Sequence, residues 1–454
     1  MYGMTQGIRS SRRLEWACGN AKDFLWLAEG PTIDHSTLCG FRTRFRREIK
    51  ALFRQTAEVA MRMGMVRLNQ VALDGTKVKA NSSRHATATA ETLAERLAAL
   101  DAEVEKMLSA CEEADRQEDD LFGQRVSPNH LPRELSDLKR RQEKLREALS
   151  SARDKEAASS SAAGSKKPKV PVADPASSIQ PNKEGGYAPN YTPMAMGDGE
   201  KGLLVGEDVL AGQDEGEALV PMVDQVAQDL GDRPQEVLAD GAYGSGQNLA
   251  ALDERGMEGL IALEQRMDRP DNPARRADPA QPVAAEQWDK LPRNPKTKKL
   301  DRSAFVYDGQ ADGYWCPMGH RLGFVGLREK RRVKQRVGYR LYRCGQCVGC
   351  PLRPECVQGK TKYRTVSRDE YEPLREAMDA RMKTPEGRKR SSRRTWIAET
   401  PFAVLKGLLG LRQFLLRGLA KVRTEWTWAC TAFNLMKLVR EIGRLRGRLA
   451  AMLG

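Results

Sequence analysis

The stretch Val71-Ala72-Leu73-Asp74-Gly75 is an apolar run that ends in Asp-Gly, and the same pattern recurs as Val237-Leu238-Ala239-Asp240-Gly241. A short apolar run bounded by a turn signal is typical of a buried strand. A carboxylate at the end of such a strand has a fixed direction, as a metal site requires. A single Asp in this position is more often a turn former, so the interpretation depends on what surrounds the two aspartates.

The elements around these aspartates follow the order of an α/β sheet. We expect a strand over 66–74, and a second over 76–79 that pairs back on it. Thr192–Met196 and Gly202–Val209 predict a hairpin whose turn is Gly197-Asp198-Gly199. A helix at Glu215–Leu230 is then expected to lead into a strand at Glu236–Ala239. A second helix is expected at Gln247–Arg255, followed by a strand at Leu260–Leu263. This order fits a ribonuclease-H-like α/β core whose first hairpin is interrupted by an insertion.

The residues before this core predict a helical region. Apolar residues have helical spacing over Ser10–Cys18, Lys22–Leu27 and Ser36–Met63. The third helix carries a basic cluster, in which Arg42 and Arg46 are candidate DNA-binding residues. A solvated cationic face explains the cluster equally well.

The insertion contains two leucine-rich stretches with spacings of three and four residues. We predict two helices folded back as an antiparallel coiled coil, with a structural or partner-binding role. Gly123, Pro128 and Pro132 separate the two helices, and the Ser-, Ala- and Lys-rich stretch 157–169 follows as a linker.

The predicted organisation therefore has six segments. They are a helical DNA-binding region (1–64), the first part of the core (65–87), the coiled-coil insertion and linker (88–173), the second part of the core (174–265), an insertion with a small Cys-rich module (266–390), and the helical last part of the core (391–454).

Composition limits the kind of partner. The 454-residue chain has a formal net charge of +15 from basic clusters spread along its length. Nucleic acid is the natural partner of such a surface. No run of about 18 apolar residues is present to span a bilayer. The first 13 residues lack the apolar core of a signal peptide. We therefore expect a cytoplasmic protein with no membrane partner.

A third acid, Glu399, lies near the start of the last helical segment. Three converging carboxylates in a basic protein indicate metal-dependent phosphodiester chemistry, because Mg²⁺ prefers oxygen ligands and offsets their mutual repulsion. Two such ions (Mg²⁺ or Mn²⁺) about 4 Å apart activate the nucleophile and neutralise the scissile phosphate. We assign Asp74 to bridge both ions, with Asp240 and Glu399 each completing one.

Five cysteines lie close together in the sequence: Cys316, Cys344, Cys347, Cys350 and Cys356. These spacings predict a structural Zn²⁺ site, with His320 as a sixth candidate ligand. Four ligands cannot be selected from these six by spacing alone. An iron–sulfur cluster is the alternative, although the last spacing does not suit it, and free thiols are a third possibility. The other four cysteines, Cys18, Cys39, Cys111 and Cys430, are expected to be small buried apolar residues.

Taken together, these motifs resemble the bacterial insertion-sequence transposases with a DDE catalytic triad, in the branch that carries a cysteine cluster before the final Glu. The ordered set carries the resemblance, since each motif alone is weak. Its members are Ile8–Glu15, Asp34–Thr37 followed by Phe41-Arg42, Leu73–Lys77, Asp240–Tyr243, Glu399–Lys406, Phe414–Gly418 and Asn434–Leu438.

The resemblance implies that Asp74, Asp240 and Glu399 hold the catalytic metals and that Lys406 contacts the transposon end. Glu399 and Lys406 are seven residues apart, so both would share one helix face. An ordinary solvated lysine is the alternative. Related triads often place an Arg four residues before the Glu, where this chain has Thr395, so Arg394 is expected to serve instead. Family members usually have further helices before Ile8, which makes a shortened N-terminus one expectation.

The function expected from this resemblance is that of a transposase. It would bind double-stranded DNA at terminal inverted repeats, cleave there and join the ends to target DNA, with a homodimer assembled on the DNA. The alternatives are an inactive transposase-derived DNA-binding protein and a metal-dependent nuclease without strand transfer. Among competing acids, Asp174 would support the site, whereas Glu425 would face solvent or pair with Arg423.

Overall fold

The computed structural model of the chain describes residues 1–30, 33–122, 133–159, 167–182, 185–263, 271–331, 336–359 and 361–453. The chain folds into two units. Met1–Leu238 and Ser392–Gly454 form the first, and Ala239–Ser391 form the second. Each unit is described by itself.

The first unit begins with five helices. A single helix over Ser36–Met63 was predicted, and this prediction is wrong, because the backbone leaves helical geometry at Phe45 (φ −101°, ψ 38°). The helix before this break is capped by Asp34, whose Oδ1 accepts a hydrogen bond from the Ser36 N–H at 2.6 Å. The five helices are α1 Tyr2–Thr5, α2 Ser11–Asn20, α3 Lys22–Ala28, α4 His35–Arg44 and α5 Arg46–Arg62.

In the sequence, the strands of the first unit lie on both sides of the insertion. They are β1 Gln70–Gly75, β2 Val78–Lys79, β3 Thr87–Ala88, β4 Val170–Pro171, β5 Ser178–Pro181, β6 Tyr187–Asp198, β7 Leu204–Leu210 and β8 Glu236–Ala239, the last residue of which belongs to the second unit. β1 is central. It pairs antiparallel with β6, where Ala72 faces Gly197, and parallel with β8, where Ala72 faces Leu238. The predicted β6–β7 hairpin is present, and β5 also pairs with β6.

The expectation that 76–79 pairs back on the first strand is wrong. Gly75 does not reverse the chain, and β2 continues along β6, with Val78 opposite Tyr191. β1 and β2 therefore follow the same edge of β6.

The insertion forms two long helices, α6 Ala90–Phe122 and α7 Arg133–Ser159, which pack against each other. Leu93 and Leu149 are buried in one apolar cluster between them, and Leu100 and Leu138 in another. The predicted breakers Gly123, Pro128 and Pro132, and residues 160–166 of the predicted linker, lie outside the described residues. The coiled-coil description itself stays a prediction.

The end of the chain completes the first unit's core. The first unit also contains α8 Leu219–Leu230. After the residues of the second unit, the chain adds α13 Thr400–Gly407 and α14 Leu419–Leu453 to the first unit. Trp426 and Phe433 of α14 are buried, and they join Phe53 of α5 and Met4 of α1 in one apolar cluster with the sheet. The N-terminal helices and the C-terminal helices thus share one core. No helix among the described residues combines the length and apolar composition needed to cross a membrane.

Two expectations about single residues are wrong. Glu425 does not face solvent or pair with Arg423. It is buried and forms an ion pair with Arg9 at 2.6 Å, while Arg423 pairs with Asp208. Of the four cysteines expected to be buried, Cys39 is exposed and Cys111 is half-buried.

The second unit is built mainly around an antiparallel five-stranded sheet of order β10-β11-β12-β13-β14. Its elements are α9 Gly246–Glu254, β9 Glu258–Ile261, β10 Val306–Asp308, β11 Gly313–Trp315, β12 Arg321–Arg331, β13 Arg336–Cys344, α10 Arg353–Cys356, β14 Thr365–Asp369, α11 Glu372–Lys383 and α12 Pro385–Arg394, the last three residues of which belong to the first unit. Tyr314 and Tyr342 are buried in the core of this sheet.

Candidate active site and candidate metal centre

Asp74 lies where the buried part of β1 ends. Gln70 to Leu73 are buried, whereas the Asp74 side chain keeps 16% of its surface exposed. Its Oδ1 accepts a hydrogen bond from the Gly75 N–H at 2.9 Å, and its Oδ2 lies 3.2 Å from Nη1 of Arg394. A cationic group therefore already faces a carboxylate that solvent can reach.

Glu399 ends a π-helical turn, Thr395–Glu399, that leads into α13. Pro401 has no N–H to donate to the carbonyl of Ile397, so regular α-helical bonding cannot continue there. Such π-turns inside helices frequently occur at functional sites. The turn contacts β1 and β6, while the Glu399 side chain is exposed.

Gly197 allows this turn to approach the sheet. A Cβ built on Gly197 would lie 2.8 Å from the carbonyl oxygen of Ile397, which is closer than real Cβ atoms come. The sequence interpretation treated Gly197 as part of a hairpin turn, but it is the strand residue opposite Ala72 of β1. Gly197 is therefore a positioning residue. The sequence did not reveal this role, since a glycine at this position is explained equally well by a turn.

Lys406 is not an ordinary solvated lysine. From α13 its Nζ donates to the Thr76 hydroxyl and, at 3.0 Å, to the carbonyl oxygen of Lys77. Both acceptors follow directly after the Asp74-Gly75 pair. The helix that begins after Glu399 is therefore tied to the segment that leaves β1. Thr76 is a second positioning residue that the sequence interpretation did not single out.

Asp240 belongs to the second unit. It follows β8 directly and caps the 3₁₀ turn Gly241–Tyr243 by accepting the Ala242 N–H at 2.9 Å. Asp240 thus acts as a turn former, which was the alternative interpretation of an Asp in this position. In the parallel pairing of β1 with β8, Ala72 lies opposite Leu238.

The two N-terminal candidates for DNA binding lie partly inside the first unit. Arg42 donates to the carbonyl oxygen of Arg9 at 2.8 Å, its guanidinium lies 5.4 Å from the centre of the Trp428 ring, and burial lowers its pKa. Nε of Arg46 is buried without a hydrogen-bond partner in the described part of the chain. The DNA contacts of both residues stay predictions.

The six candidate zinc ligands line one pocket of the second unit. Sγ of Cys316, Sγ of Cys344 and a ring nitrogen of His320 lie within 4.8 Å of one another. A hydrogen bond between the two thiols lowers the pKa of Cys316 and raises that of Cys344. Nδ1 of His320 is buried and has no hydrogen-bond partner among the described residues. Two thiols and an orphaned imidazole nitrogen are a donor set that suits Zn²⁺.

The same pocket contains Cys347, Cys350 and Cys356. Sγ of Cys347 lies 3.8 Å from the carbonyl oxygen of Cys344 and accepts the Arg364 N–H at 3.4 Å. Burial raises the pKa of Cys356 to about 12. The pocket thus offers more thiols than one tetrahedral ion needs.

A second group of three potential ligands, Glu15, Asp34 and His35, lies in the N-terminal helices. Nδ1 of His35 is 3.1 Å from a carboxylate oxygen of each acid, and all three side chains are about half exposed. A hydrogen bond from Ser36 lowers the pKa of Asp34 to about 2. A capped helix with surface contacts between these polar side chains accounts for this arrangement.

The comparison with known families concerns the last third of the chain. Residues 315–439 match the family model of a transposase DDE domain. The match begins at Trp315, directly before the cysteine cluster, and includes Glu399 and Lys406. The resemblance to DDE transposases is therefore confirmed, and the match supports a transposase-type function with DNA as the substrate. No curated protein and no solved structure matches the chain.

Proposed function

We propose that the chain is the transposase of a bacterial insertion sequence. It binds the terminal inverted repeats of the element, cleaves the DNA at their ends and joins the 3′ hydroxyls to target DNA. The observation that carries this proposal is the match of residues 315–439 to a transposase DDE domain, because the matched stretch contains the predicted final acid Glu399 and the predicted DNA contact Lys406.

A ribonuclease-H-like core is part of this proposal. Its support is the order β7-β6-β1-β8, in which the first two pairings are antiparallel and the third is parallel. The long helices α6 and α7 lie between β1 and β6 in the sequence, as an interruption of the first hairpin requires. A coiled coil and a Cys-rich module complete the proposed architecture.

Asp74, Asp240 and Glu399 would hold the catalytic Mg²⁺ or Mn²⁺ ions. Carboxylate oxygens are the ligands that these hard cations prefer, and Asp74 is accessible to solvent and already paired with a cationic group. When bound, the ions supply charge neutralisation at the scissile phosphate and a more acidic attacking water.

The basic residues beside Asp74 have separate roles in this proposal. Arg394 orients the Asp74 carboxylate through its 3.2 Å contact and lowers the cost of holding several acids together. Lys406 ties α13 to Thr76 and is positioned to exchange this contact for a DNA phosphate. Arg42 and Arg46 are proposed as DNA contacts of the N-terminal helices.

The cysteine pocket is proposed to hold one structural Zn²⁺. Cys316, His320 and Cys344 supply three ligands, because their donor atoms already lie within 4.8 Å of one another. Cys347 supplies the fourth, because its sulfur lies next to the Cys344 backbone. Cys350 and Cys356 then remain thiols in the pocket wall.

Two element ends must be held together during transposition, so we propose that a homodimer assembles on the DNA. A cytoplasmic protein associated with the nucleoid follows from this substrate.

A cleavage and joining assay tests the proposed function. The substrate is duplex DNA that carries the inverted repeats flanking the gene, with Mg²⁺ present. Asp74→Asn, Asp240→Asn and Glu399→Gln should each lower cleavage by at least about 10³-fold, because each removes a ligand charge from the metal site, while binding of the DNA ends persists. Asp253→Asn is the matched control, since this Asp is exposed on α9.

Each outcome of the assay has a definite meaning. Cleavage without joining would make the chain a metal-dependent nuclease. Binding without cleavage by the unaltered chain would make it an inactive transposase-derived DNA-binding protein. Loss of binding with Asp240→Asn would assign that residue a structural role and overturn the proposed triad.

A further inference from the structure

Two segments of the first unit lie side by side next to the candidate catalytic site. The first segment, 75–85, leaves β1, and the second, 406–421, begins on α13 and ends on α14. The Lys79 N–H donates to the carbonyl oxygen of Arg412 at 3.2 Å, and the Phe414 N–H donates to the carbonyl oxygen of Lys79 at 2.8 Å. Two stretches that are far apart in the sequence are therefore in direct contact.

The first segment leads straight away from Asp74. Asp74 lies opposite Ala195 of β6, and Lys79 lies opposite Asn190. Both strands advance by five residues between these two pairs, so the backbone is extended. The distance from Asp74 to Lys79 is therefore about 17 Å at the rise of an antiparallel strand. The second segment joins the first at this far end.

Both segments carry basic residues and no acid. Neither 75–85 nor 406–421 contains an Asp or a Glu, although acids make up 61 of the 454 residues of the chain. Such a concentration of one sign of charge attracts a polyanion. We call the basic residues of the two segments the basic track: Lys77, Lys79, Arg84, Lys406, Arg412, Arg417 and Lys421.

The charge of the basic track is largely left unneutralised by the protein. Four of its members are exposed and form no ion pair with any described residue: Arg84, Arg412, Arg417 and Lys421. Arg417 instead donates from Nε to the carbonyl oxygen of Asn81 at 2.8 Å. This hydrogen bond joins the two segments a second time and keeps the positive charge of the guanidinium.

Two acids that contact the second segment do not cancel this charge, because both face the interior. Asp174 is 1% exposed and accepts the Gly418 N–H at 3.0 Å. Glu425 is 4% exposed and is paired with Arg9. The basic track therefore faces solvent as an uncompensated positive surface that begins beside a catalytic candidate.

We propose that the basic track binds the phosphate backbone of the transposon end and leads the scissile phosphate to Asp74. This proposal rests on the proposed function, since it names the surface along which the same site holds its substrate. Phosphates follow one another at about 3.4 Å along one strand of duplex DNA, so 17 Å corresponds to about five nucleotides. Contacts of this kind fix the position of the duplex without reading its sequence. Lys406, the predicted contact of the transposon end, belongs to the basic track, which favours this duplex over target DNA.

Charge removal in the full-length protein tests the basic track. The track variant combines Arg84→Gln, Arg412→Gln, Arg417→Gln and Lys421→Gln. The control variant combines Arg96→Gln, Lys106→Gln, Arg141→Gln and Lys144→Gln, which removes four exposed and unpaired charges from α6 and α7. Binding to a duplex that carries an element end is measured by fluorescence anisotropy over a series of KCl concentrations.

The track variant should lose about three from the slope of log Kobs against log salt, because each phosphate contact contributes about 0.9. The control variant should change the slope by less than about one. Equal changes in the two variants, or an unchanged slope in the track variant, would overturn the proposal.

A charge-conserving variant separates phosphate binding from a structural role. It combines Arg84→Lys, Arg412→Lys and Arg417→Lys, which removes the guanidinium hydrogen bonds and keeps every charge. Its salt slope should stay within about 0.5 of that of the unaltered chain, because the slope counts charges at phosphates. A loss as large as that of the track variant would assign these residues to holding the two segments together, and the proposal would fail.

Neutral methylphosphonate linkages locate the contacts on the DNA. Placed over the five nucleotides beside the cleaved bond, they should lower the slope of the unaltered chain and leave that of the track variant nearly unchanged, because the partner charges are already absent. The same number of neutral linkages at the far end of the duplex should act on both proteins alike. Additive losses beside the cleaved bond would show that the basic track lies elsewhere on the DNA.

The same measurements keep this proposal apart from the proposed function. If the unaltered chain neither binds nor cleaves a duplex with an element end, the proposed function itself fails. If it binds and cleaves that duplex while the track variant behaves like the control, only the basic track is wrong. A track variant that binds and cleaves the element end normally, and loses only the joining to target DNA, would also overturn the proposal, since the surface would then hold the target.

Discussion

The core of the first unit and the core of the second unit are stabilised in different ways. The first joins residues from Met4 to Phe433, and only one of its nineteen buried members is a cysteine. The second joins residues from Ala274 to Val366, and four of its fifteen buried members are cysteines. The first core therefore depends on apolar packing between the two ends of the chain. The second is more local and, in our proposal, depends on a metal ion.

Metal removal should produce the largest difference between the two cores. Cys316→Ser combined with Cys344→Ser should lower bound zinc from about one ion per chain to none, because both thiolates are proposed ligands. The five-stranded sheet should then lose its hydrogen-exchange protection, since structural zinc contributes directly to folding free energy. β1, β6 and β7 should keep their protection.

Cys39→Ser is the control for this change, because Cys39 is exposed and lies in the first unit. It should leave zinc content and exchange unchanged. A metal-free protein whose five-stranded sheet keeps full exchange protection would contradict the proposal that the second core depends on a metal ion.

The next largest effect is expected from Trp426→Ala in the first unit. The Trp426 ring is buried and stacks at 6.1 Å on Phe402, and its Nε1 donates to the carbonyl oxygen of Met194 at 2.9 Å. The resulting cavity and the lost hydrogen bond should cost about 5 kcal/mol of unfolding free energy, measured by urea denaturation. α5 and β6 should lose exchange protection together, because they share this core.

Trp396→Ala provides the comparison, since that ring is 45% exposed and should cost about 1 kcal/mol or less. If α5 kept its protection in the Trp426 variant, the N-terminal helices would be a separately stable region, as the predicted boundary at residue 64 implies.

The sequence predicted the local elements of both units better than their connections. The strand at Glu236–Ala239 has the predicted bounds, because short buried apolar runs between turn signals have few alternatives. The break at Phe45 was not predicted, since the helical spacing of apolar residues continues across it. β2 was assigned to the wrong partner because a Gly after a strand commonly signals a turn, whereas here the chain continues straight.

In the candidate site, too, single residues were easier to predict than their contacts. Asp74, Asp240 and Glu399 were selected from motifs, and the structure places Asp74 and Asp240 directly at or after strand ends. The partners of Glu425, Lys406 and Gly197 could not be predicted. Each contact joins residues that are distant in the sequence, and a single sequence contains no record of such pairs.

A smaller effect is expected from the buried ion pair that ties the two chain ends together. Arg9 donates to Glu425 at 2.6 Å and to the carbonyl oxygens of Gly410 and Gln413. Arg9→Met should destabilise the first unit by about 4 kcal/mol in urea, because it leaves the Glu425 carboxylate buried without its cation. Adding Glu425→Gln should recover part of this loss, since Gln can still accept a hydrogen bond from Leu415.

Arg12→Met is the control for this ion pair, because Arg12 is exposed on α2, and it should change stability by less than about 0.5 kcal/mol. An Arg9→Met cost as small as that of Arg12→Met would show that the chain ends are held by apolar packing alone.

The smallest effect is expected from Glu207 of β7, and it should depend on pH. Burial raises the pKa of Glu207 to about 7, although the Thr427 hydroxyl of α14 donates to its carboxyl group at 2.9 Å. The folded chain thus keeps a proton that the unfolded chain releases near pH 4.5. The contribution of Glu207 to stability should therefore be most favourable below pH 4.5 and fall as the pH rises to about 7. Glu207→Gln should remove this fall and exceed the unaltered protein by roughly 2–3 kcal/mol at pH 8, with little difference at pH 4.5. Urea denaturation at both pH values measures the difference, with the exposed Glu200→Gln as control.

Glu207 and Thr427 both belong to the first unit. The hydrogen-exchange protection of the second unit should therefore not follow this pH dependence. A parallel loss in both units would mean that the two cores unfold as one, and the contrast between them would then be structural but not energetic.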